Sequence, residues 1–172
     1  GHHQAPQPCG QEQRDQARRS ATRLLRRREL MLNQAQAVSH VGGWDIDVAS
    51  GRISWTEEVF RIHELPLDYD PNNLERALDF YAPGDRERIA AAVAAACEKG
   101  EPYDLDLQLC TARKQLRGVH VSGRAERENG KIVRVYGYIA DITERKRAEA
   151  RINELNATLE ARVIERTRQL EA

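Results

Sequence analysis

The apolar period of this chain changes twice, at Gly42-Gly43 and again at Asp141, so its three segments cannot share one regular structure. Before the first change, Ala17, Ala21, Leu24, Met31, Ala35 and Val38 recur at helical steps, and no Gly or Pro falls between Arg14 and Gly42. This predicts an amphipathic linker helix over 14–40. Residues 1–13 are rich in Gln and Pro and nearly free of large apolar side chains, which predicts a disordered leader. The polar side of the helix carries Arg14, Arg18, Arg19, Arg23, Arg26, Arg27 and Arg28. Such a cluster suits anionic lipid or an acidic partner, but beside an apolar stripe it reads first as a solvated linker face.

Between the two changes the period is 2. Trp44, Ile46 and Val48 alternate with Asp45 and Asp47, and Ile53 and Trp55 flank Ser54 across a turn at Ala49-Ser50-Gly51, which predicts a hairpin. Ser54 with Glu57 has the spacing of a capping box for a short helix carrying Val59, Phe60 and Ile62, and Asn72 with Glu75 repeats it. A longer helix is predicted from Asp85 to Lys99, with Gly100 as its stop. Three alternating runs follow: Tyr103 to Leu109, a run around Val119 and Val121, and Val133 to Ala140, the last two joined by the turn pair Asn129-Gly130. Two strands, small helices and a three-stranded meander make an α+β fold, an antiparallel sheet with helices on one face, over 41–142.

After the second change the period is helical again over 143–172. Ala148, Ile152, Leu155, Leu159, Val163 and Leu170 form a stripe in which the interval from 148 to 159 recurs from 159 to 170. An eleven-residue repeat keeps one face of a nearly straight helix in register, and the exposed stripe is best buried against a second copy in a parallel coiled coil. The expected dimer seam is Ile152, Leu155, Leu159, Val163 and Leu170; the competing arrangement folds this helix back on its own sheet. Asp141 with Glu144 is placed to cap the helix, so Asp141, Thr143 and Glu144 are the expected signal-transfer residues.

Composition removes several function classes. The chain has 27 basic and 27 acidic residues, so no global field favours nucleic acid, which is not an expected partner. Cys9, Cys97 and Cys110 are scattered singly, which points to a reducing cytoplasm and to buried structural thiols. His40, His63 and His120 lack a second ligand at metal spacing, so no metal is expected. No phosphate-cradling Gly loop or nucleophile elbow occurs, and Asp45 and Asp47 sit in a solvent-side alternation, so no enzyme activity is expected. No run approaches the roughly 20 apolar residues of a membrane span. The chain opens at Gly1-His2-His3 and stops in mid-pattern, which suggests a segment of a longer protein.

Four pieces in order, Gly42-Gly43-Trp44-Asp45-Ile46-Asp47, Pro83-Gly84-Asp85-Arg86-Glu87-Arg88, Val119-His120-Val121-Ser122-Gly123-Arg124 and Gly137-Tyr138-Ile139-Ala140-Asp141-Ile142-Thr143-Glu144-Arg145-Lys146, resemble a PAS domain with its C-terminal PAC-type extension. Such domains are found in bacterial sensor histidine kinases and diguanylate cyclases. The resemblance implies a five-stranded antiparallel sheet curled around a small cavity, a sensor in place of a catalyst, and a covalently linked kinase or cyclase domain. The apolar stripes of the two terminal helices make a homodimer through the N- and C-terminal helices the expected assembly. A small-molecule ligand is possible on this reading, with Phe60, Leu105, Leu107, Val121, Val135 and Ile139 as expected pocket residues; the alternative is a ligand-free dimerising spacer that relays an upstream signal. Haem-binding relatives use a His on the longest helix, where this chain has none, and flavin photoreceptor relatives use an Asn-Cys-Arg motif that it lacks, so neither cofactor is expected. Gly118 stands where such domains commonly carry Trp, and the 111–116 loop lacks their Asp-Gly turn, which predicts a longer or looser hairpin there.

Overall fold

The computed structural model describes residues 10–171. Helix α1 (Gly10–Ser39) is a unit by itself and buries none of its residues. Its apolar surface is wider than the predicted stripe, since Leu25, Leu30 and Leu32 are exposed beside Leu24 and Met31. Residues 10–13, expected in the leader, belong to the helix, because nothing in Gln11-Glu12-Gln13 opposes helical backbone once the pattern behind it propagates. The rest of that leader lies outside the described residues.

The second unit begins at His40. Strands β1 (Val41–Asp47) and β2 (Ile53–Trp55) are followed by helices α2 (Glu57–His63), α3 (Leu74–Leu78) and α4 (Pro83–Lys99). Strands β3 (Tyr103–Cys110), β4 (Leu116–Glu128) and β5 (Lys131–Asp141) come next, then helix α5 (Thr143–Glu171). The sheet order is β2-β1-β5-β4-β3, antiparallel throughout, so the first hairpin pairs with the last strand. Alternation sets the faces. Leu107, Leu109, Val119, Val121, Val135 and Ile139 point inward and are buried, while Tyr136 and Tyr138 stand exposed on the outer face. Onto the inner face pack Val59 and Ile62 of α2 and Ile89, Val93 and Ala96 of α4, completing one apolar core.

Asn129 and Gly130 both take positive φ, 50° and 79°, the backbone that a two-residue hairpin turn needs between β4 and β5. Further along, Gly137 faces Gly123 across the same pair of strands. A Cβ on Gly137 would stand 1.7 Å from the Ser122 carbonyl oxygen, so β4 and β5 approach there only because residue 137 has no side chain.

The predicted caps shift by small amounts, for identifiable reasons. Ser54 stays in β2, paired with Asp45, and Thr56 precedes α2 instead. The Thr56 hydroxyl turns away from its helix to accept the Gly43 N–H at 2.9 Å. Asn73, one residue past the predicted position, caps α3 by accepting the Arg76 N–H, and Asn72 accepts the Ile53 N–H. Helix α4 starts two residues early because Pro83 suits a first helical position. The 111–116 hairpin is neither long nor loose. Thr111 is buried, receives the Gln115 N–H and gives its hydroxyl proton to Glu64 at 2.5 Å.

Candidate functional site

Two features of the second unit bear on function, a cavity within the core and the junction where β5 turns into α5. The cavity has a volume of about 60 Å³. Its walls come from both sheet edges and from helices α2, α3 and α4, with Trp44 and Ile46 from β1, Val59 and His63 from α2, Tyr81 before α4 and Tyr103 from β3 among them. Aromatic rings pack against one another along the walls. Trp44 stacks on Tyr103 with ring centroids 6.3 Å apart, and Trp55 stacks on His63 at 4.8 Å.

Polar atoms reach this apolar wall. The indole Nε1 of Trp44 and the hydroxyl of Tyr103 are buried with no protein hydrogen-bond partner. His63 donates Nδ1–H to the Val59 carbonyl at 2.8 Å, which leaves Nε2 without a proton when the ring is neutral. Burial keeps it neutral, pulling its pKa from 6.5 down to about 4. Tyr81 and Tyr103 are both held as phenols by burial, well above the usual tyrosine range.

Of the expected pocket residues, Val121 and Ile139 line the cavity; Phe60, Leu105, Leu107 and Val135 do not. Phe60 sits edge-on to Trp55, 5.3 Å between centroids. Leu105 is half-buried at the margin of the core, and Val135 is fully buried within it. Leu107 borders a separate open groove of about 470 Å³ beside α5, lined also by Leu116, Arg117, Gly118, Ile142 and Lys146. Trp44 and Trp55 are the side chains whose filling of the cavity favours the spacer reading, whereas His63, Tyr81 and Tyr103 were missed, because alternation tells inward from outward but not which inward residues leave a gap. The only signal available was the concentration of aromatic residues at strand ends.

The junction is built around Arg117. Its guanidinium donates to the carbonyls of Arg61 at 3.2 Å and Ile62 at 2.9 Å at the C-terminal end of α2, where the helix dipole favours a cation. The same group lies 3.4 Å from the Glu64 carboxylate and 3.9 Å from that of Asp141. Asp141 in turn accepts the backbone N–H of Thr143 at 2.9 Å and its hydroxyl at 2.6 Å. The Thr143 hydroxyl accepts the Gly118 N–H at 3.1 Å, and the Gly118 carbonyl accepts the Ile142 N–H at 2.8 Å. Asp141 and Thr143 therefore fix the first turn of α5 to β4 and, through Arg117, to α2. Glu144 takes no part. It is exposed, and the backbone N–H that a capping box would offer it, that of Asp141, is already bonded to the His40 carbonyl. Arg117 was not read from the sequence, since nothing local marks an arginine that reaches back to a helix end.

Beyond Thr143 every described residue of α5 is exposed, Ile152, Leu155 and Leu159 each at 57% and Val163 and Leu170 more so. The helix does not fold back on the sheet. Ile164, outside the predicted seam, adds to the exposed apolar surface. Cys97 and Cys110 are half-buried free thiols, not the buried ones expected, because one lies at the end of α4 and the other at the end of β3. Burial and the neighbouring Glu98 raise the Cys97 pKa. Among the described residues no helix is long and apolar enough to cross a membrane.

The sequence pattern of the PAS fold matches residues 52–139, about half of the chain. The blue-light-activated histidine kinase of Brucella anthropi is 31% identical over 113 residues, 66% of this chain but 22% of that protein. The chain thus spans about a fifth of the length of the curated relatives it matches. A sensory box histidine kinase/response regulator from Burkholderia thailandensis has the same fold with a TM-score of 0.56 at 24% identity, covering 76% of this chain and 98% of that one. The N-terminal domain of a diguanylate cyclase with PAS/PAC sensor from Marinobacter aquaeolei gives a TM-score of 0.56 at 14% identity, over 62% of this chain and 98% of that one. A family pattern over half the sequence, carried on a five-stranded sheet of order β2-β1-β5-β4-β3, has one reading: the chain belongs to the PAS family of sensor domains.

Proposed function

We propose that the chain is the cytoplasmic input module of a bacterial signalling protein, a histidine kinase or diguanylate cyclase, and that it passes a change in its core to the output domain through α5. The reading rests on the Arg117–Asp141–Thr143 junction. Movement at α2 or β4 cannot leave the start of α5 unaffected, because Arg117 and the Gly118 backbone bind both. Two copies of α5 lie side by side in a parallel coiled coil, with Ile152, Leu155, Leu159, Val163 and Leu170 at the seam, and small shifts at their base alter the crossing of the pair.

Relatives carry the name blue-light-activated, but this chain's residues do not fit a flavin. A cavity of about 60 Å³ is well below the roughly 300 Å³ at which drug-sized pockets begin, and no cysteine lines it. Purified protein is expected to show no stoichiometric flavin band. A second reading, a ligand-free spacer relaying a signal from α1 to α5, is favoured by that small volume and by the hydrogen bond from the Asp141 N–H to the His40 carbonyl.

Single cysteines at positions 152, 155, 159 and 163, in a chain whose native cysteines are replaced by Ser, test the dimer by disulfide trapping. Equivalent positions crosslinking with their own copies along the stripe supports it. Crosslinks pairing the two ends of α5 would mean antiparallel helices, and the output model would fall.

A further inference from the structure

We infer that the core cavity is a receptor for one small, neutral molecule bearing a hydrogen-bond-accepting oxygen, of the size of acetone or acetamide, which the Trp44 indole N–H and the Tyr103 hydroxyl hold together. The inference rests on the sensor reading above and names the ligand class of that site.

Three observations on the cavity converge. The first is the pair of donors. Tyr103 is only 9% exposed, yet its hydroxyl and the Trp44 Nε1–H are buried without a protein partner, and buried polar groups of a folded protein are normally satisfied. Their rings stack 17° from parallel, and both residues line the cavity. An indole N–H can only donate, so whatever satisfies it presents an acceptor.

The second is charge. Among the described residues lining the cavity none carries a charge at neutral pH, the His63 ring being held neutral. A charged ligand would enter a site with nothing to compensate it, whereas a carbonyl or amide brings an acceptor and no net charge.

The third is size. At about 60 Å³ the cavity has less than half the volume of an apolar cavity of about 150 Å³ that accepts benzene. The space suits about four heavy atoms and no ring system. The way in lies at α3, where Leu74 lines the cavity and is also 38% exposed to solvent. With so few atoms, millimolar affinity is the expected range.

The chain has two tryptophans, so its indole N–H resonances form a built-in probe, and Trp44→Phe fixes which signal belongs to Trp44. Acetone is titrated into ¹⁵N-labelled full chain, and isobutene, which has acetone's shape without its oxygen, is the comparator. The expected result is a saturable shift of the Trp44 indole signal with acetone, several-fold weaker binding in Tyr103→Phe, and little response to isobutene. Tyr103→Phe keeps the ring and loses only the hydroxyl, so its dispersed spectrum also reports that the fold is intact. Equal binding of acetone and isobutene, or no saturable movement of Trp44 in folded wild-type protein, would overturn the inference; the latter leaves water as the occupant. If that happens while disulfide trapping still gives a parallel dimer, the ligand class fails and the relay reading survives.

Discussion

The backbone N–H of Asp141 donates to the carbonyl of His40 at 3.0 Å, so the residue that follows α1 in the chain is bonded directly to the last residue of β5. His40 holds a left-handed backbone, φ 54°, and its imidazole lies 3.6 Å from the buried carboxylate of Glu58. Pairing of Val41 with Ala140 continues the contact into the sheet. Where the chain enters this unit and where it leaves the sheet are thus one locus, with the carboxylate of Asp141 turned the other way, toward Thr143 and Arg117.

Arg117→Ala is expected to destabilise the unit by about 1.5–3 kcal/mol, since it removes hydrogen bonds between a charged group and two carbonyls at the end of α2. Asp141→Ala removes mainly a cap and should cost about 1 kcal/mol. Both should speed amide exchange at Thr143 and the turn after it. Unchanged exchange there with intact global stability would show that the junction is not tied by these side chains.

Acid should weaken the fold through His63. Its pKa is about 4 when folded against 6.5 for the free side chain, so between those values the unfolded chain binds the proton more readily. The contribution of the neutral ring is complete above pH 6.5 and fades as pH falls toward 4, by up to about 3 kcal/mol. Denaturant unfolding across this window, compared with His63→Gln, measures it. The variant's curve should be flatter, and parallel curves would contradict the assignment.

Placing carboxylates in the seam by Leu155→Asp with Leu159→Asp should yield monomers by sedimentation, because charge buried in an apolar interface lacks a partner. The PAS core should unfold at an unchanged temperature, as both side chains are exposed within one chain. A dimer that survives the double substitution would place the interface elsewhere.

Gly137→Ala should be among the most damaging single-methyl changes available. Its Cβ would meet the Ser122 carbonyl oxygen at 1.7 Å, a backbone atom that no rotamer change can move. A loss of at least the roughly 1–3 kcal/mol typical of overpacking is expected from thermal melts, against a small effect for Gly84→Ala, where a Cβ has open space.

The sheet could be read from the sequence because one face is buried, so alternation in Val133 to Ala140 and the Asn129-Gly130 turn fixed register together. Caps were read less well. Ser54 and Glu144 have capping-box spacing, but in the fold Ser54 is held in β2 opposite Asp45, and the Asp141 N–H that Glu144 would serve is already bonded to the His40 carbonyl. The cavity was half legible for a related reason. Val121 and Ile139 follow from strand parity, whereas the aromatic wall depends on how β1, β3 and α2 converge across long sequence separations. Arg117 was illegible, because its partners at Ile62 and Glu64 lie on another element and no periodicity links them.

The bare length of α5 has a mechanical meaning. At 1.5 Å per residue its 29 residues reach about 43 Å from Thr143, while its first turn, the part gripped by Asp141 and Gly118, is about 5.4 Å deep. The helix is therefore a lever with its fulcrum at Thr143 and an advantage of about eight, so that a 1 Å displacement across the gripped turn becomes about 8 Å at Glu171 if the helix stays rigid. Motions in the core too small to disturb its packing are large by the time they arrive at the far end.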